Sequence, residues 1–193
     1  MNVVLFDELF LSSLMAFLKG ALRQFRLAGA LVASSRYAAE NVVKRLSRGF
    51  SYIVEYGAGD GAITKRILRG LSRDGTLVAV ELNEAFLPYL HAVGDSRLKV
   101  VHGDVTSIAR TLPALNLPRI DGVVSGIPFT FLEPEQREEV VSNTWKHLSC
   151  GGRFVLYQTT PLMVPVLKRH FRRVKVYYEL RNLPPYFIIV AEK

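Results

Sequence analysis

With one cysteine in 193 residues the chain can form no internal disulfide. A lone Cys150, set before Gly151 and Gly152 in an expected turn, points to a reducing compartment and to a fold held by burial alone. The sequence also lacks an uninterrupted apolar stretch of about 18 residues, so no membrane-spanning helix is expected. No repeat or low-complexity tract appears. The four histidines, His91, His102, His147 and His170, stand at no metal-ligand spacing, and no metal is expected. Acidic residues are few: 17 Asp and Glu face 25 Lys and Arg, for a net charge of +8, and none occurs between Leu9 and Ala39. That balance favours anionic surfaces, lipid headgroups or RNA alike.

The remaining composition, 49% hydrophobic and 22% charged, suits one compact enzyme with a single core. Near the N-terminus, Phe6, Phe10, Leu14, Phe17, Ala21 and Phe25 fall on one face of a helical projection. Glu8, Ser12, Lys19, Arg23 and Arg26 fall on the other. Asp7 and Glu8 stand where a signal peptide would carry basic residues, so none is expected. Such a helix packs on a core or, with its phenylalanines and clustered cations, lies in a bilayer interface.

Alternating signals then follow. Strands are expected near 52–56, 76–81, 98–102, 120–125, 152–158, 173–179 and 186–192, with helices near 36–48, 62–70, 83–92, 133–148 and 162–170. This alternation predicts an α/β fold whose seven-stranded sheet is mainly parallel, with helices on both faces. The last two strands, joined through "NLPP", must form an antiparallel hairpin. Ligands of such sheets bind at the carboxyl ends of the strands.

The stretch "YIVEYGAGDGAITKRIL", Tyr52 to Leu68, reads as a buried strand, a glycine turn and a helix start. Gly57, Gly59 and Gly61 let the backbone turn sharply and approach a ligand that a Cβ would push away. Twenty residues past Gly61, after "TLVAV", Glu81 can accept hydrogen bonds from both hydroxyls of an adenosine ribose. The glycine pattern alone also satisfies a relaxed dinucleotide fingerprint. A dinucleotide needs its pyrophosphate over a helix N-terminus, whereas S-adenosylmethionine carries an ammonium and a sulfonium, which Glu55 and Asp60 on either side of the loop favour. Asp104 in "VVHGDV" would serve the adenine amino group. In "VVSGIPF", Val123 to Phe129, a proline fixes the backbone beside the cofactor's reactive end.

The order "VEYGAGDG", "VAVEL", "HGDV", "VVSGIPF", "CGGRFVLYQ" resembles the class I S-adenosylmethionine-dependent methyltransferases. With the N-terminal helix, "ASSRYAAE", "GGRFVLYQTTP" and "RNLPPYFIIV", it is similar within them to the bacterial phospholipid N-methyltransferases that act on phosphatidylethanolamine. Relatives of these methylate ornithine lipids. The resemblance implies a Rossmann-like fold, with residues 1–35 as an amphipathic helix and cofactor-covering segment and residues 36–193 as the methyltransferase domain. It implies S-adenosylmethionine held by Glu55, Gly57, Ala58, Gly59, Gly61, Glu81, Leu82, Asp104, Val105 and Ser125. The acceptor amine would be held by Tyr37, the Ser125 hydroxyl, or the carbonyls of Ser125 and Gly126, with Arg36 near a lipid phosphate. Tyr157, Tyr177, Tyr178 and Tyr186 lie in strands and read as packing. The expected setting is the inner face of the plasma membrane, with the enzyme peripherally bound to anionic phospholipids.

The ribosomal RNA adenine dimethyltransferases share the glycine loop, acid and "GD" patterns, and "RLSRGF" and "LKRHFRRVKVYY" are basic and aromatic enough to touch a phosphate backbone. That family has an asparagine where this chain has Ser125 and a tyrosine where it has Phe129. The helical RNA-binding domain expected of it does not follow the last strand. A third reading is a membrane-binding protein whose fold no longer catalyses; the intact acids and glycines speak against it.

Overall fold

The computed structural model describes residues 30–46, 49–110, 112–181 and 185–193, with the side chains of 31–36 and Arg110 left aside. The amphipathic helix expected within residues 1–26 lies outside them, as does Arg36's side chain. In chain order the elements are α1 (Ala30–Arg45), β1 (Tyr52–Tyr56), α2 (Ala62–Gly70), β2 (Thr76–Glu81), α3 (Leu87–His91), β3 (Leu98–His102) and α4 (Val105–Arg110). Then come β4 (Ile120–Ser125), α5 (Pro134–His147), β5 (Leu148–Gln158), α6 (Val164–His170), β6 (Arg173–Glu179) and β7 (Tyr186–Glu192).

The seven strands form one sheet in the order β3-β2-β1-β4-β5-β7-β6. All neighbours are parallel except β7, which runs antiparallel to both β5 and β6. This is the expected architecture. β1, β2 and β4 are Val- and Ile-rich and buried almost throughout, as strands covered on both faces must be. The edge strands β3 and β6 are half-exposed, and Lys99, Arg173 and Lys175 on them discourage further strand pairing.

Register assigns the side chains to two cores. Val54, Tyr56, Val123, Phe154 and Leu156 meet α4, α5 and α6 on one face. Ile53, Leu77, Val124, Val155 and Ile188 meet α1 and α2 on the other. Helix α1 contributes Ala39, Val42 and Leu46 to that second core, and Glu40 pairs with Arg66 of α2 at 2.8 Å.

Several elements depart from expectation. Helix α1, expected over 36–48, runs from Ala30 to Arg45. The helix expected over 83–92 is a 3₁₀ turn, Glu84–Phe86, followed by α3, whose start Pro88 permits. Strand β5 begins at Leu148 rather than 152, the extra residues turning through Gly151 in the left-handed region (φ 72°). Helix α4 was not expected. Asp104 starts it by accepting from Thr106 N at 2.8 Å, too short a segment to show periodicity.

Where β1 begins, buried Asp121 takes up the backbone: its Oδ2 accepts from Ser51 N (2.8 Å) and Tyr52 N (3.1 Å), and its Oδ1 from Arg119 Nε (2.7 Å). Two backbone amides at the mouth of the central strand therefore depend on one carboxylate. Asp121→Ala is expected to cost about 2–3 kcal/mol in urea unfolding, the loss of charged hydrogen bonds plus two stranded amides.

Candidate active site

At the carboxyl edge of β1 the chain must leave the sheet and enter α2 within a few residues. Gly57, Gly59 and Gly61 all take positive φ (75°, 54° and 80°), a path that side-chain-bearing residues rarely follow. Sterics add a second demand at Gly57, where a Cβ would lie 2.7 Å from Ile127 Cγ2. A methyl at Gly59 would meet nothing within 4 Å, so the loop's own backbone faces open space there.

Glu81 at the end of β2 holds this loop in place. Its Oε2 accepts from Gly59 N at 2.7 Å and its Oε1 from Asn83 N at 2.8 Å. The same carboxylate thus spans the glycine loop and the loop after β2. Gly57 N and Ala58 N both donate to Val80 O, at 2.8 and 3.2 Å, and anchor the other end of the turn. Leu82 is exposed beside Glu81, and Val105 is buried beyond Asp104. Asp104 is exposed and engaged with Thr106, and Asp60 accepts from Ala62 N at 3.1 Å. Both acids therefore support helix starts, and Asp60 also lines the cleft described below.

Glu55 lies beneath the loop, fully buried on the α1/α2 face. Thr64 Oγ1 of α2 donates to its Oε2 at 2.6 Å, while its Oε1 has no partner among the described residues. Burial raises its pKa to about 8, against the Thr64 hydrogen bond; the charges of Glu81 and Asp60 raise it further. A cation arriving nearby would favour the ionised form.

A cleft of about 150 Å³ opens between the loop and α1, with Gly57, Gly59, Asp60 and Ile63 on one side and Ala38, Tyr157 and Tyr186 on the other. No basic residue is among its described walls. Tyr157 and Tyr186 were expected to be packing residues in strands. The structure instead turns both towards this cleft, their rings 6.0 Å apart. Only the sheet register, which places Tyr157 beside Gly126, reveals this. A larger hollow of about 320 Å³ lies elsewhere, among Val43, Leu46, Phe50 and Ile67; its walls carry no acid.

The expected acceptor-holding groups are distributed differently. Tyr37 is half-exposed on α1, with the Arg181 guanidinium 4.3 Å above its ring. Arg181 is itself held by Glu179 (2.8 Å), and Glu179 also accepts from Asn41 of α1. The hydrogen bonds from Arg181 keep the Glu179 carboxyl down at about 2, so this clasp between α1 and the end of β6 is ionised across the physiological range. Ser125 pairs with Tyr56 and Leu156 and shares their sheet face. Its Oγ is fully buried with no partner among the described residues. Gly126 N donates to Tyr56 O at 3.0 Å, and Gln158 Nε2 to Ile127 O at 3.0 Å, so the "GIPF" loop is pinned from both neighbouring strands. Among the described residues no cluster of His, Cys, Asp and Glu has metal-binding geometry, and no helix is long and apolar enough to cross a membrane.

The fold is that of the class I S-adenosylmethionine-dependent methyltransferases. A solved S-adenosylmethionine-dependent methyltransferase from Archaeoglobus fulgidus superposes with a TM-score of 0.69 at 14% identity, over 88% of this chain and 99% of that one. The N-methyltransferase NodS from Bradyrhizobium japonicum gives 0.68 at 12% identity, over 82% and 95%. In sequence, the chain is 29% identical over 136 residues to an ornithine lipid N-methyltransferase from Singulisphaera acidiphila, covering 69% of this chain and 71% of the relative. It is 33% identical over 66 residues to the ribosomal RNA small subunit methyltransferase H of Methylobacillus flagellatus, a match spanning 21% of that protein. No protein-family model matches the chain.

Glu55 ties the site to stability. A carboxyl that holds its proton more tightly folded than unfolded stabilises fully below about pH 4.5 and loses that contribution as pH rises through about 8. Glu55→Gln removes the penalty of the buried charge. In urea unfolding the variant's stability relative to wild type is expected to rise by on the order of a few kcal/mol between pH 5 and pH 9. A difference that does not change with pH would contradict it.

Proposed function

We propose that this protein is an S-adenosylmethionine-dependent N-methyltransferase acting on the amine headgroup of a membrane lipid, phosphatidylethanolamine or an ornithine lipid. The observation that carries this reading is the likeness to the ornithine lipid N-methyltransferase, which extends over most of both chains. The chemistry of the cleft supports it. A pyrophosphate would meet Asp60 there and no basic wall, whereas an ammonium and a sulfonium are favoured by Asp60 and by the Glu55 carboxyl buried beneath the loop. Glu55 Oε1, buried and unpartnered, is the kind of group that a cationic ligand would satisfy.

S-adenosylmethionine would supply an electrophilic methyl group on a sulfonium that leaves as a neutral thioether. The residues of this chain then have three tasks. Glu81, already oriented by Gly59 N and Asn83 N, offers its remaining lone pairs to the ribose hydroxyls. The bare backbone of the glycine loop lets the ligand lie close. The loop Gly126–Phe129, with its carbonyls, aligns the acceptor, which must reach the site as a neutral amine because an ammonium has no lone pair. Alignment of nitrogen, methyl carbon and sulfur contributes several kcal/mol in general. A lipid acceptor also requires docking at a bilayer, for which the net charge of +8 and the basic, phenylalanine-rich N-terminal sequence suit the anionic cytoplasmic face.

The second reading is methylation of ribosomal RNA, favoured by the short match to the rRNA enzyme. A base-methylating site stacks its extruded base on an aromatic ring. Phe129, at the position where the adenine dimethyltransferases carry tyrosine, is fully buried and has no face to offer.

Expression in a bacterial host that makes phosphatidylethanolamine but no methylated derivative, followed by lipid mass spectrometry, tests the proposal. Mono-, di- or trimethylated phosphatidylethanolamine is expected. Unchanged lipids, with ornithine lipid also unmodified in vitro, would remove the lipid reading. Glu81→Ala is expected to weaken S-adenosylmethionine binding by about 1–3 kcal/mol in calorimetry, the loss of charged hydrogen bonds; an unchanged Kd would mean that the ribose lies elsewhere.

A further inference from the structure

Tyr157 stands where the sheet leaves its backbone bare. Beyond the paired row Tyr56, Ser125 and Leu156, the next positions across β1, β4 and β5 are Gly57, Gly126 and Tyr157. Both glycines lack the side chain that would cover this corner, and the tyrosine fills it sideways. A Cβ on Gly126 would lie 1.9 Å from the Tyr157 hydroxyl oxygen and 2.2 Å from Cζ. The phenol therefore lies flat against Gly126 of the "GIPF" loop and reaches the cleft beside the glycine turn.

Two further observations mark the ring as more than packing. Tyr37 and Tyr177, the neighbouring tyrosines, already hold Arg181 and Arg45 over their faces, at 4.3 and 3.7 Å. Tyr157, by contrast, lines the cleft with its ring 6.0 Å from that of Tyr186 and has no cation over its face among the described residues. Burial also holds the Tyr157 phenol well above its ordinary range, with Glu55, Tyr186, Asp60 and Glu81 adding to the shift. It stays a neutral phenol at any physiological pH, able to give or accept a hydrogen bond but not to serve as a base. A ring close to Asp60, Glu81 and the buried Glu55 carboxyl is an environment for a cation.

We propose that Tyr157, rather than Tyr37 or Ser125, receives the acceptor amine, its ring against the nitrogen substituents and its oxygen accepting an N–H hydrogen bond that aims the lone pair. This deepens the reading of the protein as an amine methyltransferase and rests on it. In the step so aligned, a C–N bond forms as the methyl C–S bond breaks. Sulfur leaves with the electron pair as the neutral thioether of S-adenosylhomocysteine; after a first or second transfer the new ammonium gives its proton to water, and the quaternary product of a third transfer has none to give. The same ring face receives each successive methylated head, because it meets the N-methyl groups of the neutral amine and the positive charge that develops on nitrogen as the C–N bond forms, whatever number of N–H donors remains.

The probe is tetramethylammonium, a cation with no lipid tail, titrated by calorimetry and NMR into protein saturated with S-adenosylhomocysteine. Wild type is expected to bind it, Tyr157→Leu to bind at least tenfold more weakly, and Tyr157→Phe to stay within about threefold, since the ring carries the contact. S-adenosylhomocysteine affinity should change by less than about threefold in both variants, and Tyr177→Phe serves as a folding control. Methyl transfer to dihexanoyl phosphatidylethanolamine is the second arm. Tyr157→Phe should lower kcat at least tenfold with little change in acceptor KM. The proposal is overturned if wild type binds no tetramethylammonium, if Tyr157→Leu binds it as wild type does, or if Tyr157→Phe turns over at the wild-type rate. Loss of S-adenosylhomocysteine affinity in the variants would likewise overturn it, assigning Tyr157 to the cofactor. Tetramethylammonium binding with no methylation of any amine lipid by wild type would defeat the lipid reading alone.

Discussion

The two hydrogen bonds accepted by the Glu81 carboxylate, from Gly59 N and Asn83 N, are the constraint on which the site depends. A loop with three left-handed glycines has many alternatives open to it, and glycine loses more freedom on ordering than any other residue. One carboxylate at the end of a buried strand removes those alternatives. The same group sets the start of the loop after β2, so the spacing of the two loops is fixed by a single side chain. Gly103 N donates to the Glu81 backbone carbonyl at 3.0 Å, extending the tie to the end of β3.

Charge is partitioned in a way that composition does not reveal. The molecule is strongly basic as a whole, yet the cleft at the carboxyl edge of its sheet has Asp60 on its wall, with Glu55 and Glu81 buried behind the adjoining loop, and no basic wall among the described residues. A net positive charge favours anionic surfaces in general, while an acid at the cleft suits a cationic ligand. Arg66 of α2 is engaged with Glu40 of α1, and Arg181, just past β6, with Glu179.

Most of the fold was legible because its signals are local. Central strands such as "YIVEY", "TLVAVE" and "IDGVVS" are continuous apolar runs that end at turn residues, and six of the seven strands fall where periodicity places them, β5 starting four residues early. The glycine loop and Glu81 were legible for the same reason: their spacing is fixed by one strand–helix–strand unit. What escaped depended on contacts between distant segments. Helix α4 is too short to have a period and is started by a capping acid. Tyr157 reads as a strand aromatic until the register sets it beside Gly126, thirty-one positions earlier. Tyr37 and Ser125 were chosen by resemblance, which gives no view of the arginine over one or the sheet face of the other.

A crystal structure of the protein grown with S-adenosylhomocysteine tests the central claim most directly. The account requires the adenosine ribose against Glu81 and the amino-acid end of the ligand over Gly57–Gly61, within reach of Glu55 and bordered by Tyr157. A ligand bound elsewhere on the sheet, or a protein that takes up none at saturating concentration, would contradict it.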